Sequence, residues 1–181
     1  MRIISGKHRS RQILMVGIDS TRETTDKVRG AIFNLINSYQ MQGVCLDLFS
    51  GSGAMGLEAL SRGADFCFFN DKNRKAYETT KKNCESLGYL KETKLFNVDY
   101  KIALRQIDKK LSFVFLDPPY ALNCYEEIMK YIIENDLLLC SGLIICESAV
   151  EVEINFPNKL ELYKEKVYGN KKVSIYRKRG D

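Results

Sequence analysis

Val44-Cys45-Leu46-Asp47-Leu48-Phe49-Ser50-Gly51-Ser52-Gly53-Ala54-Met55-Gly56 decides how the rest of the chain is arranged. An apolar run ends in an acid and an aromatic, then breaks into small residues. Leu57 and Leu60 then resume the apolar pattern at helical spacing. This order predicts a strand, a tight glycine turn and a helix. It is the opening of a βαβ unit, where glycine lets the backbone come close to a ligand.

Outward from that turn the same alternation repeats. Apolar runs predict strands at 44–49, 66–70, 94–98, 112–116 and 142–147, and amphipathic spacing predicts helices at 54–62, 73–87, 100–107 and 123–135. Gly63 and Gly88 fall where helix C-terminal caps belong. Such alternation implies an α/β fold, a mostly parallel sheet covered on both faces with right-handed crossovers. Near the C-terminus, 160–168 and 173–178 flank Gly169-Asn170-Lys171-Lys172, a hairpin signal. They complete a seven-stranded sheet with an antiparallel end.

The N-terminal residues stand apart from this pattern. Residues 2–6 and 12–16 read as two short strands around a basic loop, Lys7-His8-Arg9-Ser10-Arg11. A helix follows, capped by Thr24 or Thr25 with Asp26 in its first turn. Its apolar stripe is Val28, Ala31, Ile32, Leu35, Ile36 and Tyr39, with Arg29 mostly on the other side, and Gly43 ends it. The chain thus divides into a hairpin-and-helix extension, 1–40, packed on an α/β domain, 41–181.

The 181 residues suffice for one sizeable core, and 45% apolar with 28% charged is ordinary for a globular protein. No apolar run approaches the ~20 residues that span a bilayer, and no signal-peptide pattern opens the chain, so a cytoplasmic location is expected. Six cysteines include no C-x-x-C pair, and His8 is the sole histidine. Cys45, Cys67, Cys140 and Cys146 lie in apolar runs, as buried free thiols do, and no metal site is predicted. The net charge is +5, unevenly spread. Residues 1–30 hold seven Lys/Arg against three Asp/Glu, and 164–181 hold seven against two, while the body between is net acidic. Two basic ends suit a polyanion such as a phosphate backbone; solubility alone would also account for them.

Gly51-Ser52-Gly53-Ala54-Met55-Gly56 fits the dinucleotide pattern G-x-G-x-x-G, but Asp47 argues against a pyrophosphate. A carboxylate so near the helix N-terminus repels phosphate and welcomes an ammonium and a sulfonium, the charges of S-adenosylmethionine. Phe49 covers that site, and Ser50, Gly51 and Gly53 let the backbone close in. Asp71, twenty residues past Gly51, ends the second strand and suits two ribose hydroxyls. Asp99 ends the third and suits an adenine amino group, with Val98 or Tyr100 against the ring.

The fourth strand runs into Asp117-Pro118-Pro119-Tyr120. Two prolines fix the backbone and leave carbonyls without competing N–H donors. An exocyclic base amine is a poor nucleophile because its lone pair is delocalised into the ring. If Asp117 and the Pro118 carbonyl accept its two hydrogens, the lone pair is aimed at a methyl donor, and Asp117 can take the proton released. Tyr120 offers a face on which an extruded base stacks.

With both constellations present, the chain resembles class I S-adenosylmethionine-dependent methyltransferases with their Rossmann-like fold, and more narrowly the RsmD family. The likeness runs from Arg2-Ile3-Ile4-Ser5-Gly6 through the 21–34 helix region, Asp47 to Gly53, Glu58 to Ala64 and Leu116 to Tyr120, to Tyr168-Gly169. Glu23 and Gly30 stand where that family usually has Pro and Glu. The resemblance implies transfer of a methyl group to the N2 amine of a guanine in small-subunit (16S) ribosomal RNA, free or in an assembling 30S particle. It implies that Asp47, Phe49, Ser50, Gly51, Gly53, Asp71 and Asp99 line the cofactor and that Asp117, Pro118, Pro119 and Tyr120 hold the guanine. Arg2, Lys7, Arg9, Arg11, Arg22 and Arg29 are then the candidate RNA contacts. Other readings are an adenine-N6, DNA or protein amine methyltransferase, or a non-catalytic RNA-binding module. Adenine enzymes more often carry Asn before the two prolines, and the chain leaves no room for a separate DNA-recognition domain.

Overall fold

Helix α1 (Asp26–Leu35) precedes β1 (Val44–Asp47), α2 (Ala54–Ser61), β2 (Phe66–Asn70) and α3 (Arg74–Leu87). After a short 3₁₀ turn come β3 (Thr93–Phe96), α4 (Tyr100–Arg105), β4 (Leu111–Leu116), α5 (Tyr125–Glu134), β5 (Leu138–Ala149), β6 (Leu160–Tyr168) and β7 (Lys171–Lys178). This is a computed structural model, and it describes residues 1–17, 26–36, 41–119 and 121–179. The Thr24 and Thr25 caps, Tyr39, Arg22 and Tyr120 lie outside those residues.

The seven strands form one sheet in the order β3-β2-β1-β4-β5-β7-β6, parallel from β3 through β5 and antiparallel in the last two pairings. Alternate side chains feed two cores, as period two requires. Cys45, Cys67, Phe113, Phe115 and Ile145 face α2 together with Leu57, Leu60, Ile32 and Phe33. Leu46, Phe68, Val114, Leu116 and Ile144 pack with Leu104, Ile128 and Ile132 of α4 and α5. Helix ends obey local chemistry. Asn73 caps α3 by accepting from the Lys75 and Ala76 N–H groups, and Gly88 closes that helix at φ 75.

The elements match the sequence pattern with instructive differences. β5 begins at Leu138 rather than 142, and its register against β4 shifts between Leu111 and Phe113. Across that irregularity residues 139–141 turn outward, so Cys140 is exposed, correcting the expectation that it is buried. The last hairpin turns on Gly169 and Asn170 alone, because Lys171 already pairs with Tyr168.

The N-terminal hairpin holds only one bridge, Arg2 with Gln12, instead of two paired strands. Ile3 N–H donates across the hairpin to the Arg11 carbonyl at 2.9 Å and Ile13 N–H to the Met1 carbonyl at 3.1 Å, but the Ile4 and Ser5 N–H groups donate to the Glu58 carboxylate at 2.8 and 3.0 Å. Gly6, at φ 82, passes so close to α2 that an added Cβ would lie 1.8 Å from the Ser61 carbonyl oxygen. Asn83 holds the second arm, accepting from Leu14 N–H at 2.7 Å and donating to its carbonyl at 3.0 Å. Ile3, Ile13, Ile32 and Phe33 thereby join the main core rather than forming one of their own.

Arg29 corrects a further expectation. It is fully enclosed, bonded through Nη2 to Asp26 and to the Arg2 carbonyl, with Nε 3.7 Å from the equally enclosed Glu58. A guanidinium with no exposed surface cannot meet an RNA phosphate; Arg29 is instead part of the anchor holding the extension. Glu58 also accepts from Arg62 Nε at 2.7 Å.

Two stability outcomes follow. Glu58→Ala removes one of the two carboxylates beside the enclosed Arg29 and the acceptor of the Ile4 and Ser5 N–H groups. It should lower the unfolding free energy by about 3–5 kcal/mol in urea titration. Gly30 is helical, and a Cβ there would meet only Ile4 Cδ1 at an ordinary 3.5 Å. Gly30→Ala should therefore raise the urea midpoint, with a gain of about 0.5–1 kcal/mol.

Candidate active site

The parallel strands end along one edge of the sheet, and there a cavity of about 520 Å³ opens. Period two explains its chemistry. Asp47, Asp71, Asp117 and Glu147 each stand two residues beyond Cys45, Phe69, Phe115 and Ile145, all members of the core facing α2. All four acids line the cavity, as do Phe49, Ser50, Gly51, Asp99, Pro118 and Pro119.

The glycine turn is held from three sides. Ser50 N–H donates to the Asn70 carbonyl at 2.9 Å, and Gly51 N–H to Asp71 Oδ2 at 2.9 Å. From α3, Thr80 donates to the Gly51 carbonyl at 2.9 Å and Asn83 Nδ2 to the Ser52 carbonyl at 2.8 Å. Gly53 does not line the cavity. It starts α2 at φ 81, where a Cβ would come within 2.9 Å of Thr80 Cγ2.

Asp47, 4% exposed, accepts from Gly56 N–H at 3.0 Å. Burial pushes its carboxyl up from the ordinary 3.8 to about 7; the Gly56 bond pulls it down, and the Asp71 charge adds to the rise. Burial likewise raises Asp71, whose oxygens already accept from Asn73 and Gly51 N–H groups. Each carboxylate oxygen keeps a second lone pair for a ligand hydroxyl. Asp99 caps α4 through Lys101 N–H, with Lys72 Nζ 3.5 Å away. Phe49 packs on Tyr100 with ring centroids 5.7 Å apart, and Tyr100 lines the cavity.

Several contributors were not singled out from the sequence. Asn70 ties the ends of β1 and β3 through the Leu48 carbonyl and Val98 N–H. Thr80 and Asn83 are buried polar residues on the inward face of α3. Their signal was available: uncharged polar groups at helical spacing where apolar ones would serve packing better. Glu147 and Lys171, an ion pair in the cavity wall, gave none, since their strands meet only in the folded sheet. Among the candidate RNA contacts, Arg2, Lys7, Arg9 and Arg11 are exposed. No group of three or more His, Cys, Asp or Glu among the described residues could hold a metal ion. None of the described helices is long and apolar enough to cross a membrane.

A seven-stranded sheet with this strand order, a glycine turn after β1 and acids at successive strand ends is the Rossmann-like architecture of class I methyltransferases. The chain belongs to the RsmD family: the profile described as Conserved hypothetical protein 95 matches residues 1–177. YlbH of Bacillus subtilis (strain 168) is 40% identical over 184 residues, covering 99% of this chain and 100% of that one. Ribosomal RNA small subunit methyltransferase D of Escherichia coli (strain K12) is 33% identical over 179 residues, covering 98% and 90%. The solved structure of Escherichia coli yhhF superposes with a TM-score of 0.87 at 32% identity, covering 98% and 97%.

Family and fold imply a cofactor of the S-adenosylmethionine type, and the site fits one. Its open glycine turn and acid-rich wall suit a ligand carrying an ammonium and a sulfonium. Ligand affinity should then follow the Asp47 proton. Calorimetric titration with S-adenosylhomocysteine should show binding strengthening as pH rises through about 7, a dependence that Asp47→Asn flattens. Stability of the ligand-free protein moves the other way. The folded carboxyl holds its proton to higher pH than the unfolded one, so Asp47 costs stability as pH rises from 3.8 to about 7.

Proposed function

We propose that this protein transfers a methyl group from S-adenosylmethionine to the exocyclic N2 amine of a guanine in small-subunit ribosomal RNA. One observation carries the reading: the donor-side acids Asp47, Asp71 and Asp99 open on the same cavity as Asp117, Pro118 and Pro119. The relative named ribosomal RNA small subunit methyltransferase D supports the substrate class.

When bound, S-adenosylmethionine supplies an activated methyl group, whose carbon–sulfur bond breaks as the nitrogen–carbon bond forms, leaving S-adenosylhomocysteine. The residues do the positioning. Asp47 offers a carboxylate to the ammonium, Asp71 to the ribose hydroxyls and Asp99 to the adenine amine, while Phe49, Ser50, Gly51 and Gly53 shape the turn. Asp117 and the Pro118 carbonyl accept the two amine hydrogens, and Asp117 takes the proton released on methylation. Pro119 stiffens that turn, and Tyr120 is the stacking face for the extruded base. Residues 1–40 form the RNA-gripping extension, with Arg2, Lys7, Arg9, Arg11 and Arg22 on the phosphate backbone. The substrate is the RNA alone or within an assembling 30S particle.

The test is methylation with radiolabelled S-adenosylmethionine of free small-subunit RNA, partly assembled small subunits or DNA, followed by digestion to nucleosides. N2-methylguanosine is the expected product; labelled N6-methyladenine would overturn the reading. Asp117→Ala should lower kcat on the order of 10²–10³-fold while S-adenosylhomocysteine affinity is kept. Neutralising Arg9 and Arg11 together should weaken RNA binding and flatten its log–log salt slope by about 0.7–0.9 per charge lost. An unchanged slope would count against the hairpin as a contact.

A further inference from the structure

One charge pair in the cavity wall has no part in the chemistry above. Glu147 and Lys171 are joined as an ion pair, with side chains only 5% and 13% exposed, and both line the cavity beside Asp117 and Pro118. The sheet register puts them there. Leu116 lies opposite Cys146 in the last pairing of β4 with β5, so Asp117 and Glu147 each follow directly on that rung. Lys171 opens β7 opposite Ala149, two residues beyond Glu147. The Tyr125 hydroxyl donates to the Glu147 carbonyl at 2.6 Å and holds that strand end.

A buried ion pair is a weak source of stability, because removing both charges from water offsets most of their attraction. The neighbouring Ile145 and Val173 already supply apolar packing at this place. What the pair provides at a ligand cavity is an acceptor and a donor held side by side in an environment that strengthens both.

The base edge that fits this order is that of guanine. Along it stand the N2 amine, the N1–H donor and the O6 acceptor. With the amine held by Asp117 and Pro118, N1–H and O6 come next. Adenine, its N6 amine in the same place, would present the N1 lone pair to a carboxylate and a C–H to an ammonium. We propose that Glu147 and Lys171 select guanine: the Glu147 carboxylate accepts from N1–H, and the Lys171 ammonium donates to O6. The assignment rests on the guanine-N2 reading above and adds to it the residues that choose the base.

The experiment compares the wild-type protein with Glu147→Gln, Lys171→Met and Lys171→Arg. Each is assayed for transfer from radiolabelled S-adenosylmethionine to partly assembled small subunits, with the labelled nucleosides identified. S-adenosylhomocysteine binding is titrated in parallel. The wild-type lane should give N2-methylguanosine. Glu147→Gln and Lys171→Met should each lose kcat on the order of tenfold to a hundredfold, the worth of a hydrogen bond to a charged group. Both should bind S-adenosylhomocysteine as the wild type does, and Lys171→Arg, which keeps a cationic donor, should recover most of the rate. Wild-type rates in both neutralised variants would overturn the assignment, and so would a matching loss of S-adenosylhomocysteine binding. A wild-type product other than N2-methylguanosine would instead overturn the guanine reading itself and the assignment with it.

Discussion

Parallel strand pairing is the constraint from which the site follows. Five neighbouring strands, β3-β2-β1-β4-β5, run the same way, so each must return through a crossover and all five end at one edge. Their backbone pairing and apolar side chains satisfy the sheet interior. Residues at or just past the strand ends border the cavity instead of the sheet interior and can carry charge. The cavity forms there, and it collects Asp47, Asp71, Asp99 and Asp117, whose positions in the chain span seventy residues.

The acids are held in two different ways. Asp71 and Asp99 accept from backbone N–H groups at the starts of helices or turns, which fixes their direction; Asp99 stays half-exposed, while burial raises the Asp71 carboxyl. Asp47 is buried, and its carboxyl is driven up to about 7 chiefly by loss of water. A group so placed is unfavourable in the empty protein when ionised and is relieved by a cationic ligand. Strain of this kind, at a site otherwise built from regular strand ends, is what a binding site contributes that packing does not.

Glu58 does for the N-terminal extension what strand pairing does for the sheet. Fully buried in α2, it receives two backbone N–H groups, the Arg62 side chain and the nearby Arg29 charge. The hairpin is too short to satisfy its own backbone, so a carboxylate from the main domain completes it. Asn83 repeats the device on the other arm and also bonds the Ser52 carbonyl in the glycine turn. The extension is therefore fastened through the same helices that shape the glycine-turn side of the cavity.

Much of this was legible in order along the chain. The alternation of apolar runs and amphipathic helices, the glycine turn and the Asp-Pro-Pro-Tyr stretch are local patterns, and local spacing encodes them directly. The sequence by itself determined the α/β class, the parallel sheet with its antiparallel end and the strand-end acids, because each depends on residues within a few positions of one another. Only the tertiary structure decided that Arg29 turns inward to Glu58, that Cys140 faces out across a register shift, and that Glu147 meets Lys171 beside Asp117. Each is settled by which distant strand or helix lies alongside. The net burial of a charge depends on a partner that periodicity cannot name.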